Sequence, residues 1–207
     1  MVIVTYPTAI QNEASFINKM FDKGLPLLHV RKPAMDVKQL ITWSKLIEKT
    51  YHHRLVIHIN NIVINNWMIE KSYLSTLINT LNSDFIHLST SNCSYLLQDI
   101  NKLPKLSTSV HCITELNQLS TAYNRVFISP IYPSISKKGY SSDKNWEQEI
   151  HLRTNHNTTV VALGGITPER IPLLKQMGFD DYALLGAIWQ SDNPLKTFEL
   201  CQYYDQL

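Results

Sequence analysis

Residues 160–188 read VVALGGITPERIPLLKQMGFDDYALLGAI. Two apolar runs, TTVVAL (158–163) and DDYALLG (180–186), read as buried strands. Between them Thr167 is placed as an N-cap, Pro168 as the first helical residue, Glu169 in the first turn and Gly178 as the stop. A strand, a helix and a second strand in this order predict a parallel pair joined by a crossover. The chain has six glycines, and three of them, Gly164, Gly165 and Gly186, close the two apolar runs.

Outward from this unit the same alternation recurs. Further apolar, β-branched runs are VIVT (2–5), LPLLHV (25–30), RLVIHI (54–59), DFIHLS (84–89), LSTSV (106–110) and RVFIS (125–129). Helical spacing separates them, as at 36–49, where Val37, Leu40, Ile41, Trp43, Ser44 and Ile47 fall near one face and Asp36 precedes as N-cap. About eight strand–helix units in 207 residues predict an α/β fold, a (β/α)8 TIM barrel forming a single compact domain over 1–207. A doubly wound open sheet is the alternative. The longest unpatterned connection, PIYPSISKKGYSSDK (130–144), leaves the sixth strand on the face where barrel enzymes gather catalytic groups.

Composition narrows the classes. Hydrophobic residues are 44% and the formal charge is +2, with no run of like charges, so nucleic acid is not an expected partner. No segment reaches the roughly 18 apolar residues of a membrane span, and MVIVTYPT is too short for a signal peptide's apolar region. Cys93, Cys112 and Cys201 are odd in number without CxxC spacing, which fits a reducing cytoplasm. A homodimer is left open.

Glycines at two neighbouring strand ends let backbone N–H groups approach a phosphate without Cβ atoms in the way. Arg31 and Lys32 end strand two and are expected to point into the barrel mouth as anion-attracting cations. Lys137, Lys138, Ser134 and Ser136 form a second cationic, hydroxyl-bearing group on the long loop. His29, His58, His87 and His111 fall in or just after strands two to five. The first three read as core residues. His111 stands at the catalytic edge and is a candidate proton carrier. The eight histidines lack the HxH or HxxxH spacing of a zinc site, and His52-His53 are expected at a helix end on the surface.

In order along the chain, LLHVRKP, HINN (58–61), FIHLSTSN (85–92), STSVH (107–111), ISPIYPSISKKG (128–139), VVALGGIT (160–167) and ALLGAIWQ (183–190) resemble the motifs of the thiamine phosphate synthase/TenI superfamily. The resemblance implies a (β/α)8 barrel of thiamine biosynthesis. Its synthases join a thiazole phosphate to a pyrimidine methyl diphosphate with Mg²⁺. By this likeness Gly164, Gly165, Gly186 and Ala187, with Ser134 and Ser136, would hold the thiazole phosphate. Arg31, Asn60 and Lys137 would hold the diphosphate, with Ser109, His29 and Lys32 beside it. The departures are as informative. Asn61 and Asn92 stand where the synthases carry the two Mg²⁺-binding aspartates, so any metal site there is degenerate. Ser109-Val110-His111 matches the S-V-H of TenI-like proteins, some of which isomerise a carboxylated thiazole phosphate without a metal. A thiazole tautomerase in which His111 moves the ring proton is therefore placed slightly ahead of an active synthase in which Arg31, Asn60 and Lys137 carry the diphosphate; His111, Arg31 and Lys137 are the candidate catalytic residues. A non-catalytic phosphate-ligand binder, or an unrelated phosphate-handling barrel, are the remaining readings.

Overall fold

The computed structural model describes residues 1–59, 76, 78–81, 83, 85–88, 105–137 and 139–207. Eight parallel strands close into a barrel in sequence order: β1 (Val2–Val4), β2 (Leu27–Val30), β3 (Leu55–His58), β4 (Phe85–His87), β5 (Lys105–Val110), β6 (Tyr123–Ile128), β7 (Thr159–Leu163) and β8 (Asp181–Leu184). β8 returns to β1 through Val2↔Ala183 and Ile3↔Leu184, which seals the barrel and leaves no free edge. The open sheet is thereby ruled out. All eight apolar runs become strands because burial on both faces tolerates continuous apolar sequence.

Side chains alternate across a strand, and the barrel sorts them accordingly. Val2, Val4, Leu27, Val56, Phe127, Val161 and Ala183 cluster inside. Ile3, Leu28, Val30, Leu55, Ile57 and Ile86 face the helices in a second, larger core. Helices with both ends described are α1 (Glu13–Asp22), α2 (Val37–Ser44), α3 (Ile113–Asn117), α4 (Trp146–Glu149), α5 (Ile171–Met177), α6 (Gly186–Trp189) and α7 (Pro194–Asp205), and residues 76 and 78–81 are helical as well. α1 buries Ile17, Met20 and Phe21, at the i, i+3, i+4 spacing of one helix face.

The helix expected over 36–49 is shorter. Asp36 caps it, accepting from the Gln39 N–H while the Gln39 side chain accepts from the Asp36 N–H. The helix stops at Ser44. Beyond it Asn18 donates to the Leu46 carbonyl and accepts from the Glu48 N–H, so tertiary bonds replace the helical ladder. His52 does not lie on the surface. It sits in the 3-10 helix Lys49–Arg54, buried, with Nε2 2.9 Å from the Ile47 carbonyl. His53 is exposed. Thr167 takes the expected N-cap position without a side-chain cap bond, because the helix opens as a 3-10 turn, Pro168–Arg170.

Candidate active site

The cavity at the C-terminal ends of the strands has a volume of about 280 Å³, at the small end of ligand sites. Val4, Phe127, Leu163 and Ala183 give it an apolar base. His58, His87 and Ser109 project up from β3, β4 and β5. Arg31, His111 and the 134–137 segment form its polar walls, and Gly164, Gly165, Gly186 and Ala187 form the remaining side.

Several expected residues therefore meet in one place: Arg31, Ser109, His111, Ser134, Ser136, Lys137, Gly164, Gly165, Gly186 and Ala187. Arg31 is fixed at the end of β2 through its backbone. Its N–H donates to Thr5 Oγ1 at 2.8 Å, and the Thr5 hydroxyl donates back to the Arg31 carbonyl at 3.2 Å. Lys32 is the correction. It lies outside the cavity, buried, and donates to Glu13 Oε2 at 2.6 Å, the Tyr6 carbonyl at 2.7 Å and the Thr8 carbonyl at 3.1 Å. Three acceptors saturate an ammonium's three donors, so none is left for a substrate anion. Consecutive strand-end residues face opposite ways, and only Arg31 faces in. Burial raises the Glu13 carboxyl above its ordinary value, and the Lys32 bond and charge partly offset that. His29 lies inside the barrel, with no exposed surface, and does not line the cavity. Asn60, Asn61 and Asn92 lie outside the described residues, as does Lys138.

The glycines answer to more than a ligand. Gly165 has φ of +63°, and a Cβ on it would stand 2.3 Å from the Pro133 carbonyl oxygen. A Cβ on Gly186 would stand 2.9 Å from Ile135 Cβ. The 130–137 loop thus descends onto the ends of β7 and β8 where side chains are missing. The Ile131 N–H donates to the Leu163 carbonyl and the Tyr132 N–H to the Gly164 carbonyl, at 3.0 and 3.1 Å. Arg170 donates to the Gly165 carbonyl at 2.7 Å and lies 4.4 Å from the Tyr132 ring centroid. Trp146 Nε1 donates to the Pro130 carbonyl at 2.8 Å. The loop closes on itself through Ser134 N–H to the Tyr140 carbonyl and Lys137 N–H to Ser134 Oγ.

His111 is held at two points. Its N–H donates to Glu115 Oε2 at 2.7 Å, and its Nδ1 is 2.7 Å from the Ser129 carbonyl oxygen. A carbonyl only accepts, so Nδ1 carries a proton and Nε2 is the ring nitrogen left for proton transfer. Beneath, His29, His58 and His87 pack together. Burial pulls His29 and His58 well below the usual imidazole range. His87 falls to about 3, by burial first and then by the Arg31 guanidinium. His58 and His87 were read as core from the sequence, yet both reach the cavity. Their phase shows why: Val56 and Phe85, two residues earlier, pack with the inward cluster.

The family model described as Thiamine monophosphate synthase matches residues 1–188. A thiamine-phosphate synthase of Lactococcus lactis subsp. cremoris is 25% identical over 130 residues, covering 60% of this chain and 58% of that one. A thiamine-phosphate synthase of Rhizobium etli is 31% identical over 117 residues, covering 54% of this chain and 56% of that one. The matches thus span less than three fifths of these curated relatives. The solved thiamine phosphate pyrophosphorylase of Bacteroides thetaiotaomicron superposes with a TM-score of 0.72 at 25% identity, covering 100% of this chain and 98% of that one. Order of motifs, barrel topology and the family match agree, and the chain belongs to the thiamine monophosphate synthase/TenI family.

Proposed function

We propose that the chain acts on a thiazole phosphate in thiamine biosynthesis and moves a proton on the thiazole ring. One observation carries this reading: His111, with Nδ1 tied to the Ser129 carbonyl and Nε2 left over, borders the same small cavity as the glycine-lined strand ends. The phosphate would sit against Gly164, Gly165, Gly186 and Ala187, with the Ser134 and Ser136 hydroxyls as donors. Arg31 and Lys137 add positive charge for the anion. His111 Nε2 takes a ring proton, the C–H electron pair enters the ring's conjugated system, and the imidazolium, exposed enough to exchange with water, delivers a proton to another ring carbon. The imidazolium formed in between is stabilised through Nδ1–H on the Ser129 carbonyl.

Family synthases use Mg²⁺, a hard cation that asks for carboxylates or phosphate oxygens. Among the described residues, no carboxylate lines the cavity, so these residues do not fit the ion and no step is routed through it. Synthase chemistry, joining the thiazole phosphate to a pyrimidine methyl diphosphate, is the second reading. Arg31 and Lys137 on one cavity favour it, as do the names of the curated relatives.

The test has two arms. The protein is incubated with thiazole phosphate in D₂O and ring-proton exchange is followed by NMR. In parallel, thiazole phosphate, pyrimidine methyl diphosphate and Mg²⁺ are supplied and thiamine phosphate is detected as thiochrome. Exchange that disappears in His111→Ala while thiazole phosphate still binds supports the proposal. Thiamine phosphate formation without exchange establishes the synthase instead, and binding with neither leaves a non-catalytic binder.

A further inference from the structure

We propose that His29, His58 and His87 form a binding site for one transition-metal dication of the Zn²⁺, Co²⁺ or Cu²⁺ class, with a further coordination position open to the cavity. This stands apart from the thiazole chemistry and needs none of it. The three residues come from adjacent strands β2, β3 and β4, and their nearest ring nitrogens all lie within 4.8 Å of one another. His29 Nδ1 and His58 Nε2 are 3.0 Å apart. A tetrahedral site with bonds of about 2.0–2.1 Å places its ligand atoms about 3.3 Å apart. The His29–His58 edge is therefore close to that spacing, whereas His87, stacked on His58 at 4.0 Å between centroids and 19° between planes, has to turn out of the stack and exchange its Ser109 contact for the ion.

Hydrogen bonding alone does not account for the cluster. One bond between His29 and His58 leaves His29 Nε2 and His58 Nδ1 buried with no partner. Whichever tautomers are drawn, a donor and a lone pair remain unmet. His87 is differently placed. The Ser107 hydroxyl donates to the Ile86 carbonyl at 3.2 Å, so at 2.9 Å from His87 Nδ1 it must accept. Nδ1–H is thus committed, and Nε2 bears the lone pair, 3.2 Å from Ser109 Oγ on the cavity side. Metal-bound histidines have such a second contact, an oxygen that takes the other N–H; of the three rings His87 has it, while His29 Nε2 and His58 Nδ1 have no partner. All three rings are held neutral, the form that binds metals. Imidazole nitrogens select borderline ions over Mg²⁺. Arg31 and Arg125 act electrostatically on the cluster and oppose a bare cation. Bound metal would therefore be strengthened by an anionic ligand in the cavity above. Local spacing rules miss the arrangement because successive histidines are one strand–helix unit apart.

The test is titration of chelator-stripped, folded protein with Co²⁺. The expected result is one ion per chain with the intense visible absorption of a low-coordinate site. Ser107→Ala, which frees the His87 ring without removing a ligand, should weaken binding about 10- to 100-fold. His58→Gln should abolish the absorption. Absence of stoichiometric binding by the folded wild type overturns the site. So does binding unchanged in His58→Gln, which would assign the ion to histidines elsewhere. The readout is a spectrum rather than turnover, so its failure and that of the tautomerase reading are separable.

Discussion

Lys32→Met separates the two neighbouring cations of β2. The methionine stem keeps most of the volume but removes the charge from a pair whose members are 1% and 4% exposed. Glu13 is then left without its partner, and a buried carboxylate of that kind protonates rather than stay charged. Against an ordinary value of 4.5, protonation at pH 7 costs about 3–4 kcal/mol at about 1.36 kcal/mol per unit. At pH 5 the same cost is about 1 kcal/mol. The sign follows from linkage: a carboxyl raised in the folded state stabilises fully below its unfolded value and loses that contribution as pH rises. Loss of the donors to Tyr6 and Thr8 adds a pH-independent part of about 1 kcal/mol or more. Urea unfolding of wild type and variant at pH 5 and pH 7 should therefore show a stability gap that widens with pH, by at most about 2–3 kcal/mol over that range, since wild-type Glu13, itself raised, already loses part of this. Thiazole phosphate binding should be unaffected by Lys32→Met and weakened by Arg31→Met. A gap of the same size at both pH values, or binding lost with Lys32, would refute the reasoning.

Gly165→Ala should lower stability by about 2 kcal/mol or more, from the left-handed backbone and the approach to the Pro133 carbonyl. That corresponds to a fall of about 4–8 °C in Tm, accompanied by weaker phosphate binding as the loop is pushed away. Trp146→Phe removes the donor to the Pro130 carbonyl. It should cost about 1–3 kcal/mol in denaturant unfolding and speed amide exchange at Ile131 and Tyr132.

The fold was legible because most strands are buried on both faces and so read as short apolar, β-branched runs, broken mainly by the inward histidines and the hydroxyls of β5. Strand ends were legible for the same reason, which is why Arg31, His111, Gly165 and Gly186 come together as expected. Side-chain direction was harder. Lys32 is one residue from Arg31 and points the other way, and only the distant Glu13, on α1, explains its destination. His58 and His87 looked like core because isolated strands carry no mark of which face is inside. The phase becomes readable only by lining up Leu27/His29, Val56/His58 and Phe85/His87 across three strands. His52 was misplaced for a related reason: its burial depends on the tertiary bonds of Asn18, which no local pattern contains.

The seat of the 130–137 loop has a kinetic consequence. Its backbone is tied to β7 at Leu163 and Gly164, to α4 through Trp146, and its Tyr132 ring is stacked by Arg170. A wall carrying Ser134, Ser136 and Lys137 thus stands ready before any ligand arrives. The ordering entropy that a floppy lid would surrender on each encounter is already lost during folding. Association should then be limited by diffusion and charge steering rather than by closure. Salt should slow it by screening Arg31 and Lys137, whereas solvent viscosity should act only through encounter.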